Sequence, residues 1–255
     1  MFLSIVLYAA LLLAFIGAIA IAVPLRLLGI RSRLTGALVA GLGAAVAIIA
    51  ATLPPSEKRI EQRQSRLDDF MPRWQFDERH TIVVAAPPVT VFEAIRTVPA
   101  EEIRLFRLLT AIRRGGRKGP EDILNAPEKQ PLLDVATRSG FVWLANEPPH
   151  ELVVGTVVVA PRSARRSGAK ATPDLFTRAL QPGVALAAMN FVVAPDGRGG
   201  SLVSTETRVF ANDRSSQRKF AAYWRVIHPG SDIIRRMWLK AIKRRAERGR
   251  GDRWR

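Results

Sequence analysis

The sequence predicts an α+β fold: a curved antiparallel sheet around a long C-terminal helix, preceded by two transmembrane helices. Three observations predict it. Residues 1–56 hold three arginines and no acid, arranged as two long uncharged runs. Residues 139–211 are rich in β-branched and aromatic stretches separated by Pro- and Gly-containing turns. Beyond residue 214, apolar residues recur at helical spacing beneath a dense load of arginine and lysine.

The first run, Phe2 to Val23, has the length of a bilayer-crossing helix, and Pro24 ends it. Arg26, Arg31 and Arg33 fill the connector, and a second uncharged run extends from Leu34 to Leu53 before Pro54-Pro55. Residues 1–55 therefore read as a transmembrane hairpin. Small residues at four-residue spacing in the second run (Gly36, Ala40, Ala44 and Ala37, Gly41, Ala45) suit close helix–helix association. A cleaved signal peptide fits less well, because the first side-chain charge is Arg26 and a second span follows. Gly41-Leu42-Gly43 is not followed by the third glycine of a dinucleotide fingerprint. Positive charges near the membrane are almost balanced, three in the connector against Lys58, Arg59, Arg63 and Arg66 after the second span. The basic remainder of the chain tips the expectation toward a cytoplasmic domain on a bacterial cell membrane.

Residues 56–75 alternate charge signs and read as a solvated linker helix. In the segment FDERHTIVV, Ile82 and Val84 share one strand face, with Thr81 and Val83 on the other. Pro88 suits the first turn of the next helix, whose stripe is Val91, Phe92 and Ile95. After Pro99, AEEIRLFRLLTAIRR reads as one helix with acids first and arginines last, broken by GGRKGP. Strands SGFVWLAN and HELVVGTVVVA flank Glu147-Pro148-Pro149, and residues 161–174 read as a polar, basic loop. Strands VALAAMNFVV and SLVSTETRVF flank the turn PDGRGG. A helix capped by Asp213 or Ser215 runs to His228-Pro229-Gly230, and a last one starts at Ser231.

The opening IVVAAPPVTVFEAI, the small helices after it, the polar strand STETRVF and the terminal helical segment resemble the START-type, polyketide-cyclase-like helix-grip superfamily (SRPBCC) over about residues 76–248. The resemblance implies a hydrophobic cavity under the last helix. Relatives use it for lipid or hydrophobic-ligand binding, for cyclase or aromatase chemistry, or for co-chaperone work.

Composition narrows the chemistry. The 255-residue chain has 39 Lys+Arg against 22 Asp+Glu, a net charge of +17, and is 48% hydrophobic, which excludes wholesale disorder. Without cysteine it can form no disulfide, thiolate nucleophile, iron–sulfur cluster or cysteine-ligated zinc site. His80, His150 and His228 match no metal-ligand spacing, and no phosphate loop or nucleophile elbow occurs, so neither metal, cofactor nor catalytic residue is expected.

The best polar constellation is in the last hairpin. Glu206 and Arg208 share a strand face, and Asn190 falls opposite Thr205 or Glu206. Together with Trp143 and Trp224 they are the candidate cavity residues, orienting a head group if that face turns inward. If it turns outward, Glu206 and Arg208 form a surface pair. The tail is the other candidate: residues 235–255 hold ten basic side chains and two acids. Of these, Arg244, Arg245, Arg248, Arg250 and Arg253 are expected to contact anionic lipid, with residues 249–255 forming a basic tail and nucleic acid disfavoured for want of a binding motif. The expected function is membrane-anchored binding of a lipid or other hydrophobic small molecule. A cyclase or aromatase activity and a non-catalytic scaffold are the alternatives.

Overall fold

The computed structural model describes residues 2–117, 119–160, 171–178 and 180–251. The chain divides into two compact units: Met1–Pro55 with Gln217–His228, and Ser56–Ser216 with Pro229–Arg255.

In the first unit, α1 (Phe2–Ala22) and α2 (Arg33–Thr52) are both long and apolar enough to span a membrane. They pack antiparallel, since Gly17 lies against Ala40 and Gly43 against Ala14. A Cβ on Gly43 would come within 2.5 Å of the Ala14 nitrogen, and one on Gly17 within 2.3 Å of the Ala40 nitrogen, so these positions admit only glycine. The contact face of α2 is Gly36, Ala40, Gly43, Ala47 and Ala50, alternating four- and three-residue steps. The expected strict four-residue ladder drifts off the partner because a helix has 3.6 residues per turn. Gly41 consequently faces open space. Outward, Leu12, Phe15, Leu38, Leu42 and Ile48 are all about 60% exposed, an apolar surface suited to lipid rather than water.

The second unit holds a five-stranded antiparallel sheet in the order β3-β7-β6-β5-β4. Its strands are β3 (Phe76–Val84), β4 (Phe141–Glu147), β5 (Glu151–Val159), β6 (Ala185–Pro195) and β7 (Ser201–Ala211). One face carries Val84, Leu152, Val154, Met189, Phe191, Val193 and Val203. It packs against α4 (Pro88–Thr97), α6 (Leu132–Arg138) and the Trp238, Leu239 and Ile242 stripe of α7 (Arg214–Gly251). Pro88 occupies the first turn of α4, as its missing N–H allows.

The other face carries Val153, Leu186 and Ala188 and is covered by Leu67, Met71 and Phe176. Here the expected linker helix is replaced by β1 (Lys58–Arg59) paired with β2 (Arg73–Trp74), with one helical turn, α3 (Leu67–Phe70), between them. Asp68 explains the difference. Its carboxylate accepts from the backbone N–H groups of Gln64 (2.7 Å) and Ser65 (2.8 Å), wrapping the chain into a turn, while buried Leu67 and Met71 anchor it.

Two further expectations change. The helix expected from Ala100 splits into a 3-10 turn, Ala100–Glu102, and α5 (Phe106–Arg113), because Leu105 adopts a left-handed φ of 61°. The expected break at His228-Pro229-Gly230 is absent; α7 runs through Pro229 as one 38-residue helix. Proline there deprives the carbonyl of Arg225 of its N–H partner. The Tyr8 hydroxyl, 3.5 Å from that oxygen and 3.3 Å from the Val226 oxygen, supplies a replacement donor. Within the same unit the Arg225 guanidinium donates to the carbonyls of Ala51 (2.5 Å) and Leu53, which α2 leaves open at its C-terminus. Burial lowers the pKa of Arg225 below the ordinary guanidinium value.

Candidate functional site

Asn190, Glu206 and Arg208 are brought together, on the sheet face opposite α7. Asn190 pairs in register with Glu206, whose N–H donates to Asn190 Oδ1 at 2.9 Å. Arg208 donates to Glu206 (2.5 Å), Asp68 (2.6 Å) and the Met71 carbonyl (3.1 Å), with its guanidinium 3.9 Å from the centre of the Trp74 ring. Asn190 Nδ2 donates to Glu151 Oε1 at 2.7 Å, and Glu151 in turn accepts the Arg66 N–H at 2.7 Å. Desolvation works to raise the pKa of Asp68, but hydrogen bonds from Gln64, Arg208 and Ser65 outweigh it and hold the carboxyl below its ordinary value. Each charge in this group already has a partner, so the cluster clamps residues 60–75 onto the sheet. A cleft of about 420 Å³ opens beside it, walled by Arg59, Gln62, Trp74 and Arg208.

The face toward α7 holds a different group. Counting back by twos from Val84 and Ile82 along β3 puts His80 and Glu78 on that same inner face. Glu78 is 6% exposed. His80 Nε2 donates to Glu78 Oε1 at 2.8 Å and lies 3.6 Å from Asp232 Oδ1, while Ser231 Oγ donates to Glu78 Oε2 at 2.9 Å. One turn along α7 is Arg235. Its guanidinium touches Met189 Sδ and lies 5.4 Å from the centre of the Trp238 ring. Desolvation lowers its pKa to about 10, with Arg113 adding repulsion and Glu78 opposing both. Among the described residues no oxygen accepts a hydrogen bond from Arg235. Trp238, 2% exposed and edge-on to Phe191, also leaves its indole N–H without an acceptor. Buried donors normally find partners, so the indole N–H marks this spot, beside a half-buried guanidinium whose protein contact is a sulfur.

Glu78, His80 and Asp232 bring ligand atoms within 4.8 Å of one another, close enough to hold a cation. Yet all four carboxylate oxygens already accept hydrogen bonds, those of Asp232 from Arg236 at 2.8 and 3.1 Å. A metal would have to displace these donors beside the half-buried Arg235 guanidinium, so the donor set fits a cation poorly.

Of the other expected residues, Trp143 lies on the inner face beneath Arg96, 5.9 Å from ring centre to guanidinium. Trp224 lies in the first unit, stacked on Phe220 and tilted against His228. Arg244 donates to the Glu102 carbonyl at 2.7 Å. Arg245 donates to Thr97 Oγ1 at 3.0 Å and to the Glu102 carboxylate, so both tie α7 to the segment after α4. Arg248 is exposed; Arg253 and the side chain of Arg250 lie outside the described residues.

No family model and no curated protein matches the chain. Among solved structures, protein MLL2253 from Mesorhizobium loti aligns with 68% of this chain and 98% of its own, at 13% identity and a TM-score of 0.32. TTHA0849 from Thermus thermophilus aligns with 68% of this chain and 99% of its own, at 12% identity and a TM-score of 0.28. At such scores the architecture is read from the chain itself.

Proposed function

We propose that the protein is an integral membrane protein that binds a lipid or other hydrophobic small molecule in a helix-grip cavity, with the ligand's anionic or carbonyl head group on Arg235. One observation carries the reading: a half-buried guanidinium that meets a thioether and an indole and donates to no protein oxygen among the described residues. A guanidinium presents five N–H donors, and burial without oxygen acceptors is costly unless a ligand supplies them. Glu78, His80 and Ser231 would frame the head group. Ile82, Phe141, Trp143 and Met237, partly accessible on the same inner face, would border the apolar body. The resemblance to START-like proteins agrees with this use, and the basic chain favours the cytoplasmic leaflet.

Mass spectrometry of lipids co-purifying with the gently extracted protein tests the proposal. A lipid class should be enriched on the wild type and missing from a folded Arg235→Met variant. Equal recovery from both, or from neither, would overturn it. The hydrogen-bonded Glu78–His80 pair favours a second reading, acid–base chemistry of the cyclase kind on the bound molecule. That reading predicts a His80→Gln variant that retains ligand but no longer converts it.

A further inference from the structure

Helix α5 turns its two sides to different surroundings. Phe106 and Thr110, 4% and 1% exposed, face the core. Leu105, Leu108 and Ile112 form the opposite stripe and are 52%, 58% and 66% exposed. Exposed apolar surface edged by polar residues marks a protein or membrane interaction site. Arg104, Arg107, Arg114 and Arg117 adjoin the stripe in sequence, with no acid between Ile103 and Arg117. Arg107 is partly neutralised by Glu128, and Arg114 bonds the Arg117 carbonyl at 2.7 Å. Arg104 has no protein partner among the described residues.

We infer that α5 is an interfacial membrane helix, its Leu105–Leu108–Ile112 stripe seated among acyl chains and its arginines on anionic head groups. An apolar ridge inside a cationic rim is the pattern of helices that lie in the headgroup plane. The rim excludes a neutral or basic partner. The two apolar helices of the same chain keep an anionic surface at high effective concentration. This contact is independent of any ligand on Arg235.

The absence of cysteine permits a direct test on the full-length protein. Spin labels on Leu108→Cys and Ile112→Cys, with Val83→Cys as an exposed reference on the same unit, are compared in phosphatidylglycerol and phosphatidylcholine nanodiscs. Accessibility to oxygen relative to a water-soluble nickel complex should be high at 108 and 112, low at 83, and reduced in phosphatidylcholine. Arg104→Gln with Arg117→Gln should weaken the seating about fivefold per arginine, the equivalent of ~1 kcal/mol each. Labels at 108 and 112 as open to nickel as the one at 83 would overturn the inference. Labels shielded from both reagents would overturn it too, showing that protein covers the stripe.

Discussion

Replacing Arg235 with methionine should make the unliganded protein more stable while abolishing ligand binding. An arginine ordinarily ionises only in strong alkali, and each pH unit of downward displacement represents about 1.4 kcal/mol. Arg235 ionises at about 10, because burial lowers it by more than Glu78 raises it, and Arg113 adds a smaller repulsion. Its charge therefore destabilises the folded state at neutral pH, by at most ~3 kcal/mol and by less where solvent reaches the half-buried side chain. Methionine has a similar reach, no charge, and compatible neighbours in Met189 and Trp238. Some packing around the guanidinium is lost, so a net gain of ~1–3 kcal/mol is expected. The sign follows from linkage. Above about pH 10 the unfolded chain holds more protons than the folded one, so wild-type stability climbs with pH there and is flat below. Thermal unfolding in a neutral detergent, followed by circular dichroism, reads the difference. Dodecanoate or dodecyl phosphate should raise the wild-type midpoint, by ~2.7 kcal/mol at a hundred times the dissociation constant, and leave the variant unmoved. A variant that is less stable than wild type, yet equally stabilised by dodecanoate, would refute the reasoning.

Other consequences are open to similar measurement. Arg208→Ala strands the nearly buried Asp68 and should cost ~3 kcal/mol, read as faster amide exchange across residues 60–75. Because the carboxyl of Asp68 is held below its ordinary value, the clamp it supports is complete above about pH 4 and is lost as pH falls through the lowered folded pKa. Acid should thus release that segment first, and hydrogen exchange at low pH would show it. Gly43→Leu drives a side chain into the Ala14 backbone, so spin labels at Ile5→Cys and Ile48→Cys should move apart. Tyr8→Phe removes the donor facing the Arg225 and Val226 carbonyls and should cost ~1 kcal/mol, seen in the melting of the first unit.

The sheet was legible because its strands are rich in β-branched and aromatic residues and its turns are chemically distinctive. PDGRGG set the register that places Asn190 opposite Glu206, as the sequence predicts. Which face of that hairpin looks inward was not legible, because Arg208 is masked from solvent by residues 60–75, a cover that depends on long-range pairing with Asp68. Glu78 and His80 were within reach of sequence reasoning. The two-residue period that groups Ile82 with Val84 extends back to them, and polar residues on an otherwise apolar face are the informative signal. Arg235 was hidden among nine basic neighbours, since a sequence does not distinguish a half-buried arginine from a solvated one. Pro229 misled because its defect is remedied by a hydroxyl from Tyr8, 221 residues earlier.

The bond from Arg225 to the end of α2 has a consequence for biosynthesis. The open carbonyls of Ala51 and Leu53 leave the ribosome some 170 residues before the guanidinium that satisfies them. Under the proposed membrane reading, both apolar helices enter the bilayer as a self-sufficient pair, held by the glycine contacts and by the packing of Leu7, Ala10, Ala47 and Ala50. The cap on the end of α2 is set only when the last helix has been made, so a chain truncated before residue 225 should remain frayed at Leu53.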